Sequence, residues 1–230
     1  MGAAMMNRMS HHFYTAGALI AWLLVLMTSS PARSAEREFR SYMDFEYTAL
    51  QKDGPVWHLA LKQFLRVENR FRTGELVYQQ WNMGLKIRLL SWISVQEYYT
   101  PREQMYAGKT RVNKDVVGSD LLFNPSYGPL RLLNRQANEW HLTDRFYRYR
   151  NLTELACKMP AKWLLLDVSE EFRFDSDQRR INQNDVGGGL QIDLSKSLTL
   201  RVFYDLEASR RLLPTWQYVH FLGLSVGAHL

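Results

Sequence analysis

An all-β fold is what this 230-residue sequence predicts: an antiparallel, up-and-down barrel of about ten strands behind an export segment. Three observations carry that expectation. Apolar and charged residues alternate along most of the chain, tight and longer connections separate the alternating stretches, and the longest apolar run lies at the very start.

The alternation is clearest in 197–207. Leu198, Leu200, Val202, Tyr204 and Leu206 fall on one face, with Thr199, Arg201, Asp205 and Glu207 on the other. Successive strand side chains point to opposite sides, so the segment is greasy on one side and charged on the other. The last stretch repeats this, with Leu222, Leu224, Val226, Ala228 and Leu230 on one face. A soluble sandwich turns the charged side to water. A bacterial outer-membrane barrel turns the apolar side to lipid and fills its lumen with the polar one.

The start of the chain favours the second arrangement. Residues 1–35 contain no Asp or Glu, carry Arg8, and hold an apolar run over 13–27 followed by Ala32-Arg33-Ser34-Ala35. A basic start, an apolar run of about 15 and a small-residue exit describe a cleavable signal peptide. The run is shorter than the roughly 20 residues a spanning helix needs. Without Arg8 and Arg33 the 29 basic residues become 27 against 23 acidic, too mild and too scattered for nucleic acid. Cys157 is alone and cannot form an internal disulfide. A later membrane span must therefore be a closed barrel, which satisfies every backbone group in lipid.

Residues 36–55 read as a lead-in with a short alternating piece, Met43 to Tyr47, and 56–230 as the barrel. Strands are expected at 56–71, 77–89, 93–100, 115–123, 130–141, 145–157, 162–174, 184–194, 197–207 and 216–230. In 130–141 neither face is cleanly apolar. Turns are expected at Asp53-Gly54-Pro55 and Thr73-Gly74-Glu75, and the segments 101–114, 175–183 and 208–215 read as long outer loops. Strict alternation places Glu170 towards lipid, so a rim position or a bulge is expected there.

The polar faces gather Lys62, Arg66, Arg70, Lys86, Arg88, Arg148, Arg150, Arg173 and Arg201 with Glu68, Glu139, Asp167, Glu171, Asp193, Asp205 and Glu207. Rings of Arg and Lys select anions. With nine basic against seven acidic residues, an interior of satisfied ion pairs is the plainer reading. Gly187-Gly188-Gly189 lies within a strand, where it makes room for a bend or a large lumen side chain. Asp175-Ser176-Asp177 lacks the glycine and distal glutamate of a calcium loop. His220 with Ser225 or Ser209 is the one conceivable acyl-hydrolase pair.

Four runs resemble a family of short proteobacterial and Bacteroidetes outer-membrane barrels known as a domain of unknown function. They are Phe146-Tyr147-Arg148-Tyr149-Arg150, Ser169-Glu170-Glu171-Phe172, Asp185-Val186-Gly187-Gly188-Gly189-Leu190, and Asn134-Arg135 with Glu139-Trp140. The resemblance implies a barrel in the outer membrane of a Gram-negative bacterium. The expected function is non-enzymatic, a closed structural barrel or a porin-like, narrow, weakly anion-selective channel. An outer-membrane lipid-modifying enzyme and a soluble periplasmic ligand-binding barrel are the alternatives. Expected partners are outer-membrane lipid and the barrel-assembly machinery, with no nucleic acid, cofactor or metal, and the chain is expected to be a monomer.

Overall fold

A computed structural model describes residues 36–53, 58–72, 75–106, 110–161, 163–210 and 215–229. Residues 1–35, read as an export segment, the turns expected around Gly54 and at Thr73-Gly74, 107–109 and 211–214 of the expected loops, Lys162 and Leu230 lie outside the described residues.

The chain forms β1 (Glu36–Asp53), β2 (His58–Arg72), β3 (Glu75–Leu90), β4 (Ile93–Tyr106), β5 (Thr110–Phe123), β6 (Ser126–Tyr127), β7 (Leu130–His141), β8 (Phe146–Lys158), β9 (Leu164–Asp175), β10 (Arg180–Asp193), β11 (Leu198–Ser209) and β12 (Gln217–His229). Neighbours in sequence pair antiparallel around a sheet closed by β5–β7 and β1–β12, and β6 is a two-residue flap on β7. The result is a closed eleven-stranded barrel.

Three expectations need correction. The segment read as a lead-in is a full strand: β1 runs antiparallel to β2 and parallel to β12, from Glu36↔Val219 to Glu46↔His229. An up-and-down chain with an odd number of strands brings its first and last strands together pointing the same way, so the seam cannot be antiparallel. The sheet is therefore mixed. The second concerns the expected outer loop 101–114, of which 101–106 continue β4 and 110–114 begin β5, with Pro101 facing Asp115 and Tyr106 facing Thr110. Proline has no N–H to donate, and the β3–β4 register lapses beside Pro101, between Gln80↔Arg102 and Met83↔Tyr99. The third concerns loop length. Residues 176–179 form a tight turn in which the Gln178 and Arg179 N–H groups donate to the Asp175 carbonyl and Arg179 takes φ 51°. Short connections occur at both ends of the barrel, so loop length does not orient it.

The walls are two-faced. Leu85, Met83, Phe45, Val202 and Leu224 are exposed on the outside. The intervening Lys86, Asn82, Glu46, Arg201 and Ser225 line the interior. Leu200 faces outward with Val202, while Arg201 reaches Asp167 inside. Glu170 sits in the middle of β9, exposed and facing out, and no bulge turns it away; the β9–β10 register shift lies at Ile181/Gln183 instead.

Two inward aromatic rings are housed by glycines. Tyr98 stands in register between Gly84 and Gly118, and a Cβ on Gly118 would fall inside its ring. Phe203 covers Gly223 in the same way. Filling such a space forces the ring off its position at a cost of about 1–3 kcal/mol. Gly118→Ala and Gly223→Ala should each lower the temperature at which the folded form is lost, measured by gel mobility before and after heating. An unchanged transition in both would contradict this packing.

Candidate functional site

The interior is the candidate site, since it gathers the charged side chains. Alternation points every second residue inward, and register decides which of them meet.

At the end where β1 begins, the pairs form a belt around the wall. Arg40 on β1 lies 3.4 Å from Asp205 and 3.3 Å from Glu207, both on β11, and 3.6 Å from Glu68 on β2. Its guanidinium also sits over the Phe221 ring, 3.7 Å from the centroid. Arg70 holds Glu68 at 2.8 Å, and Gln80 on β3 donates to Glu68 at 2.6 Å. Further round, Arg102 on β4 reaches Glu139 on β7 at 3.5 Å. Arg150 on β8 bridges Glu139 at 2.7 Å and Glu171 at 2.5 Å. Arg173 passes from Glu171 at 2.9 Å to Asp185 on β10 at 2.7 Å. Beneath them Arg148 grips Asp175 through two hydrogen bonds, 2.5 and 2.8 Å, and Asn182 donates to the same carboxylate at 2.6 Å. The planar guanidinium makes such bridging and bidentate contacts natural.

Towards the other end Arg201 clasps Asp167 with two nitrogens, and Lys62 meets Glu46 at 2.5 Å with Lys86 at 3.5 Å. Arg66 pairs with Asp44, and Asp193 accepts from Gln191 at 2.9 Å. Arg88 lines the same space. Inside the belt a cavity of about 560 Å³ remains.

All sixteen charged residues expected inside are thus found on the inner face or in its ion pairs. Sequence reasoning missed Arg40, Asp44, Glu46, Arg102, Asp120, Arg131, Arg135, Glu154, Asp175 and Asp185. The parity of Asp175 with Glu171 and Arg173 was the available signal. Arg40, Arg102 and Asp175 lay in segments read as lead-in or loop. These additions are four basic and six acidic, which moves the interior towards electrical balance.

The geometry offers little for acyl transfer. His220 faces outward and hydrogen-bonds Tyr204, while Ser225 lines the interior and Ser209 shares the face of Glu207. The sheet separates the histidine from both hydroxyls. His141 is held by Glu139 at 3.3 Å and stacked on Phe146 at 4.1 Å. Among the described residues no group of three His, Cys, Asp or Glu is placed to hold a metal. Gly187 and Gly189 face inward where a Cβ would meet the side chains of Asp205 and Arg201, so these glycines make room for lumen side chains.

Fold and interior together define a class: a closed barrel, charged within and greasy without. Comparison with known families and with curated proteins gave no match.

Removing one partner of a buried pair leaves an uncompensated charge and costs about 3–5 kcal/mol. Arg201→Met and Asp167→Leu should each destabilise the barrel strongly. The double variant should recover a large part of the loss, because it buries no lone charge. Equilibrium denaturation of the four proteins would show strict additivity if the pair did not interact.

Proposed function

We propose that this chain is a non-enzymatic outer-membrane β-barrel of a Gram-negative bacterium, exported by its first 35 residues, with a narrow and electrically balanced interior. The inverted wall carries this reading: exposed Met43, Phe45, Met83, Leu85, Val202 and Leu224 face out, and fixed charges face in. Water penalises such an exterior, whereas hydrocarbon welcomes it. Exposed Trp92 and Trp163 lie at one end of the barrel, and exposed Trp140, Trp216 and Tyr218 at the other. Two aromatic rims suit the two interfaces of a bilayer. The kinship with outer-membrane barrels of unknown function, proposed on the Arg148 and Glu171 runs, agrees with this placement.

The belt limits what can pass. The cavity of about 560 Å³ that it encloses is lined by the belt's paired side chains. Charge near balance leaves only weak selectivity, less than a ring of unpaired Arg and Lys would give.

After expression in a Gram-negative host, the protein should stay with membranes through carbonate and urea washes and migrate faster on gels before boiling. In a planar bilayer, any discrete conductance should be small, with similar permeabilities for small anions and cations. Release by carbonate without detergent would rule the membrane reading out.

A further inference from the structure

The outer surface is not uniformly greasy. Across the middle of β7 the outward residues are Asn134, Gln136 and Asn138, with Leu130 and Leu132 on one side and Trp140 on the other. On β8 Asn151 and Thr153 stand beside Gln136 and Asn134 in register. The Asn134 amide donates to Asn151 at 3.2 Å and to Thr153 at 3.0 Å. The patch extends to Glu170 on β9, register partner of Thr153, which accepts from Asn184 on β10 at 3.4 Å. In the other direction Asn138 faces Ser119 on β5, which donates to Glu97 on β4 at 2.7 Å. Apolar residues flank each segment along its own strand: Val95 and Tyr99 around Glu97, Val168 and Phe172 around Glu170. This is a polar island inside the apolar belt, over six of the eleven barrel strands. The opposite wall presents Met43, Met83, Leu85, Val202 and Leu224, with Gln63 isolated among them and Asn69 and Gln79 paired nearer the end where β1 begins.

We infer that this island is where further copies of the same chain dock, building a closed ring of at least three barrels in the membrane. The inference rests on the membrane placement proposed above. Amides and carboxylates at mid-height of a lipid-facing wall are costly to leave in hydrocarbon, so another protein surface must cover them. The island's chemistry fits itself. Each Asn or Gln side chain offers both donors and acceptors, so one flank of the island can satisfy the other flank on the next copy. Its shape sets the number of copies. One convex neighbour touches a narrow strip, whereas the island wraps about half the circumference. Copies on both flanks, with β7 and β8 turned towards the symmetry axis, cover it whole. This departs from the monomer the sequence implies.

The test uses the full chain extracted from carbonate-washed membranes. In mild detergent, light scattering corrected for bound detergent should give at least three chains per particle. The variant Asn134→Leu with Gln136→Leu and Asn151→Leu should fall to one chain while keeping its heat-modifiable migration. Gln63→Leu, outward on β2 away from the island, should keep the wild-type mass. In intact membranes, Gln136→Cys in a Cys157→Ala background should give chain-to-chain products with a bifunctional maleimide, and Met83→Cys should not; this arm stands even if the triple variant misfolds. One or two chains per wild-type particle, or equal crosslinking at both positions, overturns the ring but leaves a membrane-embedded barrel in place. Release from membranes by carbonate overturns both.

Discussion

A tube lined with charge is stable only if each inward ion finds a counter-ion before the wall closes. Moving a charge out of water costs several kcal/mol, repaid only by good geometry and further hydrogen bonds. That requirement shapes the barrel more than the apolar pattern does. Its clearest consequence is β1. Arg40 serves Glu68, Asp205 and Glu207, two of which also meet Arg70. Lower on the same strand, Asp44 and Glu46 answer Arg66, Lys62 and Lys86. The eleventh strand supplies cation to one end of the interior and anion to the other, and the parallel seam follows from its inclusion.

The interior also needs space. Tyr98 over Gly118, Phe203 over Gly223, and Arg201 beside Gly189 are one solution used three times: a large inward side chain occupies the place its neighbour's Cβ would take. Because the glycine and its occupant lie on different strands, each pair fixes a register as well as filling a gap. Ion pairs and ring-on-glycine contacts therefore both hold the sheet at one setting, where backbone pairing alone would tolerate slippage.

Legibility in the sequence followed locality. Where a strand has one clean face, as in β11 or β3, its existence and its inward residues could be read directly, and Arg201, Lys86 and Arg88 lie where alternation puts them. Three features were not local. Whether β1 belongs to the wall depends on partners more than 160 residues away, such as Asp205 and Glu207. Residues 101–106 read as loop because the alternation disappears there, yet pairing with β5 carries the strand through Pro101. Asp175 read as the opening of a loop, but Arg148 across the β8–β9 pair makes it an anchor.

The same locality explains why β7 is ambiguous as a sequence. Its inner face carries Arg131, Arg135, Glu139 and His141, and its outer face Asn134, Gln136 and Asn138. Neither side supplies the apolar burial that normally drives a strand into place. Such a strand is held from both sides by polar partners: Arg102 and Arg150 within, the Asn151 and Thr153 side chains without. Glu170 belongs to the same pattern, since strict alternation carries it outward onto a surface already polar. A wall polar on both faces suits neither bulk water on one side and hydrocarbon on the other, nor a dry core. It suits a position between its own charged interior and a second polar surface, which is why the outer amides of β7 and β8 bear on assembly while the carboxylates behind them bear on the closure of a single barrel.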